Sequence, residues 1–188
     1  MSLLEQGRLR EMEENDLTMV LEWRNQKRVR ENMYSNHLIS EEEHRQWYAT
    51  LDRVTNEYLV FEFDEQPVGL SYFNRLNPIH KRAEWGFYLG GTDLPRGTGT
   101  LMGLLSLDYG YEQLELIKIY GEVLDYNQAS QKLFERLGFN QDGVLRQHFS
   151  RDDQWFDVVV FSQLKDEWLT TNRGQVRESL RSLETTKV

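Results

Sequence analysis

The segment "LPRGTGTLMGLLSLDYGYEQL", residues 94–114, constrains this chain most. A proline and two glycines lead into a long apolar-periodic stretch that reads as a helix from about Gly99 to Gln113. On both sides the period changes to two. "RAEWGFYLG" precedes the helix and "LIKIYGEVL" follows it, each alternating as a strand does. In the second strand Ile117, Ile119, Gly121 and Val123 share one face; Lys118, Tyr120, Glu122 and Leu124 share the other. Helices interleaved with strands exclude a helix bundle and a β-sandwich.

The flanking sequence extends this pattern. "GRLREM" reads as a first strand, and "ENDLTMVLEWRN" as a helix capped by Asn15 or Asp16. "ISEEEHRQWYATL" is a second helix, with Ser40 and Glu43 spaced as a capping box. "EYLVFEF" and "VGLSYFN" form a hairpin around "DEQP", and "RLNPIH" reads as a loop. "NQASQKLFERLGF" is a short helix ended by Gly138, and "GVLRQHFS" and "WFDVVVFSQL" close a last hairpin. The expected order is β-α-α-β-β-β-α-β-α-β-β, a mixed α/β (α+β) fold in one domain over residues 1–170. The polar stretch from residue 171 to 188 is expected to be a frayed tail.

Composition narrows the function. The 188 residues include no cysteine, which removes disulfides and thiolate metal sites. Four scattered histidines lack ligand spacing, so no metal is expected. The formal net charge is −9, from 31 acidic against 22 basic residues, which argues against nucleic acid as the main partner. No apolar run reaches the ~18 residues of a membrane span. "MSLLEQGRLREMEEND" lacks the apolar core of a secretory signal, so a cytoplasmic protein is expected.

The turn before the central helix suits a phosphate. Gly97 and Gly99 let the backbone approach a ligand closely. Their N–H groups, with those of Thr98, Thr100 and Leu101, can converge at the positive end of the helix, and Arg96 adds a charged partner. No Gly-Lys-Ser/Thr ending makes it a P-loop, and Gly103 falls too late for a dinucleotide fingerprint.

About thirty residues later comes "GEVLDYNQASQKLFERLGF". With the glycine turn, this order of strand, turn, helix and strand, then Asn-x-x-Ser and a helix ending in Leu-Gly-Phe, resembles the GNAT superfamily of N-acetyltransferases over residues 8–168. The resemblance implies a mostly antiparallel sheet, flanked by helices, whose central strands "AEWGFYL" and "IKIYGEVL" splay apart. It implies acetyl-CoA as cosubstrate. The pantetheine arm would pair with the strand edge at Phe87, Tyr88 and Leu89, and the pyrophosphate would rest on residues 96–101. Asn127 and Ser130 would lie beside the cofactor. Two positions depart from the family pattern: Leu101 replaces a small residue, and Phe134 replaces a tyrosine that protonates the leaving thiolate.

The segments "LEWRNQKRVRENM", "ISEEEHRQWY", "RAEWGFYLG" and "GVLRQHFSRDDQWFDVVVFSQLKDEW" resemble the branch of pseudaminic acid biosynthesis that acetylates the 4-amino group of a UDP-amino-dideoxy sugar. On that resemblance Trp23 and Trp47 would stack on the acceptor, and Arg24, Arg28 and Arg30 would hold its diphosphate. Asn25, Tyr72 and His148 join them as acceptor-side candidates. The alternatives are a protein N-terminal amine, a polyamine, or a non-catalytic module that binds acetyl-CoA.

Acetyl transfer to an amine needs a base, because an ammonium has no lone pair. Glu84 and Glu122, on the two strands that border the gap, are the candidates. A main-chain N–H near Tyr88 can meet the oxyanion. Tyr72, Tyr120 and Tyr126 are candidate donors for the thiolate proton. Unpaired strand edges make a homodimer an expectation.

Overall fold

A computed structural model describes residues 2–185. Seven strands form one sheet: β1 (Gly7–Glu11), β2 (Glu57–Phe63), β3 (Gln66–Asn77), β4 (Arg82–Leu89), β5 (Lys118–Leu124), β6 (Asn140–Arg151) and β7 (Gln154–Leu164). Their spatial order is β1-β2-β3-β4-β5-β7-β6. All neighbours are antiparallel except β4 and β5, which are parallel. The connection between these two strands is the central helix α5 (Thr98–Glu112), since parallel neighbours need a crossover. The helices before it are α1 (Leu3–Gln6), α2 (Leu17–Asn25), α3 (Lys27–Arg30) and α4 (Glu41–Ala49). After it come α6 (Gln128–Arg136), α7 (Lys165–Glu167) and α8 (Arg173–Thr185).

The strand period assigns the two faces of the sheet. Phe61, Phe73, Trp85, Ile119 and Phe161 pack with Leu101, Leu104 and Leu107 of α5 and with Leu133 of α6. On the opposite face Val60, Leu70 and Tyr88 pack with Val20 and Trp23 of α2 and Val29 of α3. The long apolar helix thus covers one side, and the shorter, more polar helices cover the other.

Two local expectations change, and one holds. The side chain of Asp16 does not cap α2; it accepts from both terminal guanidinium nitrogens of Arg10 at 2.7 Å. Ser40 and Glu43 do form their capping box. The "RLNPIH" loop begins later than expected, because β3 runs on to Asn77 through a register irregularity between Asn74 and Asn77. Arg75 sits there with φ of 53°, a left-handed conformation at a bulge.

The frayed tail expected from residue 171 is corrected. A π-turn (Trp168–Asn172) leads into α8, and Val176 and Leu180 are buried in the main core. Asp108 of α5 anchors this end, accepting Trp168 Nε1 at 2.9 Å and Arg177 Nη2 at 3.1 Å, and pairing with Arg173 Nε at 2.9 Å. Residues 186–188 of the expected tail lie outside the described residues. Leu180→Ala is expected to lower stability by about 2–5 kcal/mol in urea unfolding. An unchanged midpoint would contradict the docking of α8.

Candidate active site

β4 and β5 stay together for only three residue pairs: Arg82 with Lys118, Ala83 with Ile119 and Glu84 with Tyr120. Beyond them residues 85–89 and 121–124 have no cross-strand partner in each other, and a cavity of about 340 Å³ opens between. Main-chain groups on the open edge of β4 are left free of a neighbouring strand there. The ring of Phe134 lies at the fork. A Cβ on Gly121 would stand 2.5 Å from its Cζ and 3.1 Å from the Trp85 carbonyl oxygen, so only glycine fits. Phe134 is buried, stacked on Phe161 at 5.2 Å and edge-on to Trp85 at 5.3 Å. It lines the cavity as an apolar wedge with no proton to give.

The cavity reaches the start of α5 through Gly99. The N–H groups of Gly99 and Thr100 find no partner among the described residues. A Cβ at Gly99 would touch only Leu89 Cδ1, at 3.6 Å, so the space beside it is open. This is a cradle that an anionic group can occupy at a helix N-terminus. The rest of the predicted turn divides differently. Gly97 has φ of 100°, and its missing side chain makes room for Leu3, Leu180 and Leu183, not for a ligand. The Thr98 N–H bonds the Pro95 carbonyl at 3.2 Å, and the Leu101 N–H bonds the Gly97 carbonyl at 2.9 Å. Leu101 is a core residue, which explains why a large side chain is tolerated there. Arg96 is exposed and outside the cavity lining. Asn127 and Ser130 do line it; Asn127 Oδ1 caps α6 by accepting the Ser130 N–H at 3.1 Å. Phe87, Tyr88 and Leu89 line the β4 side.

Glu84 and Glu122 both line the cavity where the strands part. Arg75, turned by its bulge, sits 3.0 Å from Glu84 Oε2 and 4.0 Å from Glu122 Oε1. Burial pushes the Glu84 carboxyl above its usual range; Arg75 opposes this, and Glu122 adds to it. Tyr34, from the segment after α3, donates its hydroxyl to Glu122 Oε2 at 2.6 Å. Tyr34 and Arg75 are absent from the sequence-derived site. Nothing in "NMYSNH" or "FNRLN" marks them, because a tertiary clamp and a bulge place them.

That segment, residues 31–39, has no regular structure and is tied down by side chains. Arg24 Nη2 donates to the Ser35 carbonyl at 2.7 Å, and Arg30 Nη1 to the Asn36 carbonyl at 2.9 Å. Asn25 exchanges two hydrogen bonds with the main chain of Ile39, both at 2.9 Å. Arg151 of β6 reaches across to the carbonyls of Glu31 at 2.7 Å and Met33 at 2.5 Å. Arg28 instead ties α3 to the end of β4, donating to the carbonyls of Leu89, Gly90 and Gly91. These guanidiniums are engaged with main-chain carbonyls, while Arg24 Nη1 and Arg30 Nε are buried without a partner among the described residues and Arg28 also lines the first cavity. Trp23 is buried against Gly90 and is not free to stack on a ligand. His148 is exposed on β6 beside Asp157, away from the gap.

A second cavity, of about 430 Å³, adjoins the first and shares Met33, Tyr34, Tyr72 and Tyr88 with it. Trp47 lines it, edge-on to Tyr58 at 5.0 Å and stacked on buried His44 at the same distance. Arg24 also reaches its wall. Burial raises the Tyr72 phenol pKa and lowers that of His44, which favours the neutral form of each. Among the described residues no group of three or more His, Asp or Glu is placed to hold a metal ion, and no helix is long and apolar enough to cross a membrane.

Comparison with known proteins decides the family. Residues 8–140 match the family model described as "Acetyltransferase (GNAT) domain". The chain belongs to the GNAT acetyltransferase family. It is 34% identical over 110 residues to the uncharacterized N-acetyltransferase p20 of Bacillus licheniformis, covering 58% of this chain and 61% of that protein. It is 26% identical over 114 residues to the spermidine N(1)-acetyltransferase of Escherichia coli K12, covering 61% of each. The matches thus span about three-fifths of these relatives' length. In fold it is similar to the Vibrio cholerae spermidine N-acetyltransferase in complex with CoA and spermine. The TM-score is 0.81 at 24% identity, over 88% of this chain and 99% of that one. The splayed GNAT sheet expected from the sequence is the sheet observed.

The electrostatics of the GNAT gap carry a pH signature. The Glu84 carboxyl is held above its unfolded pKa, so its favourable contribution is present below the unfolded value and lost as pH rises through the folded one. Glu84→Gln removes that loss. Its stability relative to the parent is expected to rise as pH climbs above the ordinary carboxylate range, and then to level off, in urea titrations. A difference that falls with pH would contradict the assigned direction.

Proposed function

We propose that this chain transfers an acetyl group from acetyl-CoA to the primary amine of a small cationic acceptor of the polyamine class. The observation that carries the reading is the pair of carboxylates, Glu84 and Glu122, at the fork where the two parallel strands separate. The residues around the gap fit acetyl-CoA. The open edge of β4 offers main-chain partners to an amide-bearing arm, and the free N–H groups at Gly99 and Thr100 suit its diphosphate. When bound, the thioester supplies an activated acetyl group.

The protein's part is to orient the amine and move its protons. Glu84, partly desolvated, takes the ammonium proton and passes it to solvent. Glu122 is placed to accept the proton the nitrogen sheds as it becomes an amide. A main-chain N–H on the open edge of β4 stabilises the developing oxyanion.

The acceptor approaches through the second cavity, whose wall includes Glu43, Trp47 and Tyr58. The aromatic faces and the one carboxylate there, Glu43, favour a cation against the single guanidinium of Arg24, and the spermidine acetyltransferases among the relatives support the same class. The UDP-4-amino-sugar reading has less support: no relative reported above is named for acting on one, and Arg24, Arg28 and Arg30 each already donate to main-chain carbonyls, though Arg24 Nη1 stays unpartnered at the second cavity. A protein N-terminal amine or a non-catalytic module has no specific feature in its favour. The homodimer remains a proposal, resting on the open edges β1 and β6 and on Val144 and Leu145 exposed along β6.

Thiol release from acetyl-CoA with spermidine, a UDP-4-amino sugar and a peptide amine separates these readings; spermidine is expected to be turned over fastest. Calorimetry with Gly99→Asp tests the cofactor cradle. Aspartate in the first turn suits the helix dipole, so folding is retained. A carboxylate beside a diphosphate repels it, and CoA affinity is expected to fall by about tenfold or more. Unchanged affinity would remove Gly99 from the site.

A further inference from the structure

We propose that Tyr34 supplies the proton to the departing thiolate and that Glu122 restores it, so that the two side chains form one relay. The inference rests on the acetyl-transfer reading above. It starts from a requirement of that chemistry: cleaving the C–S bond leaves charge on sulfur, and Phe134 at the fork has no proton to give.

Four hydroxyl-bearing side chains line the gap: Tyr34, Tyr72, Tyr88 and Ser130. Tyr34 is the one of these hydrogen-bonded to a carboxylate among the described residues, at 2.6 Å from Glu122 Oε2. It is also reachable, at 47% exposed. Its position is built. The carbonyl before it, of Met33, is held by Arg151, and the carbonyl after it, of Ser35, is held by Arg24. Its ring stands edge-on to Phe149 at 5.4 Å. Two guanidiniums, one from α2 and one from the edge strand β6, thus fix a phenol that the local sequence does not.

The amine nitrogen bonds to the acetyl carbon and the C–S bond breaks, its electron pair leaving on sulfur. Glu122 takes a proton from the nitrogen. Glu122 then donates to the Tyr34 oxygen as Tyr34 gives its own proton to sulfur, and both side chains end as they began. The hydrogen-bond direction in the resting protein suits this order. While Glu122 is a carboxylate it holds the phenol proton; once protonated it becomes the donor and frees that proton to turn outward. Burial and the Glu122 and Glu84 carboxylates hold the phenol pKa up at rest, and protonating Glu122 removes one of those causes.

Tyr34→Phe keeps the ring and its packing, so the fold is retained. With acetyl-CoA and the preferred amine, kcat is expected to fall about 100-fold. With the acetyl thioester of p-nitrothiophenol, whose thiol leaves without protonation, the ratio of parent to variant is expected to stay within about threefold. Equal losses on both donors, or no loss on either, would overturn the relay while leaving the acetyltransferase reading intact. A second readout needs no turnover. The ¹³Cζ signal of Tyr34, assigned by its absence in Tyr34→Phe, is expected to shift in Glu122→Gln, which removes the carboxylate that accepts its hydroxyl. A Tyr34 signal indifferent to Glu122→Gln overturns the proposal whatever the activity.

Discussion

The parting of β4 from β5 after three residue pairs is the constraint on which the site depends. Two parallel strands in a sheet ordinarily satisfy each other's main chain, and leaving residues 85–89 without that partner exposes polar groups that must find another. The fork is held from inside the core. Phe134 lies against Gly121, where no side chain fits, and its ring is braced by Phe161, Phe139 and Trp85. Beneath them Trp85 Nε1 donates to Ser71 Oγ at 2.9 Å, and Ser71 and Ser106 share a hydrogen bond of 2.7 Å. The gap is therefore part of the packed structure, and a ligand that supplies extended main-chain-like partners completes the sheet.

The second layer of the site is made of polar ties. Residues 31–39 cross the mouth of the gap without secondary structure of their own, held by Arg24, Asn25, Arg30 and Arg151. Bonds from charged donors to carbonyls are among the stronger ones a surface segment can make. The same arginines that give α2 and α3 their basic appearance thus position Tyr34 and shape the acceptor cavity.

Much of this was legible in the sequence, for physical reasons that separate it from the rest. The strands around Trp85 and Gly121 and the helix after Gly99 follow from periodicity, and the placement of Glu84 and Glu122 on the two diverging strands follows from the alternation. The glycine turn marked the start of α5, but not which of its N–H groups stay free: Gly97 serves packing, and only the fold separates it from Gly99. Arg75 was not, since its aim depends on a bulge at φ of 53° that no local residue dictates. Tyr34 was not, because its partners lie 88 residues away in Glu122 and 118 residues away from Met33 in Arg151. The helix at the C-terminus carried a faint signal: Val176, Leu180 and Leu183 recur at helical spacing inside a polar stretch. What tethers it, Asp108, is remote in sequence.

The account stands on CoA entering between the separated strands and meeting the start of α5. Amide hydrogen exchange with and without CoA reads this directly. Protection is expected at those alternate N–H groups of residues 85–89 that face the gap and not β3, and at Gly99 and Thr100, while the paired residues 82–84 exchange as before. Protection confined to any other part of the sheet, or none at saturating CoA, would contradict it.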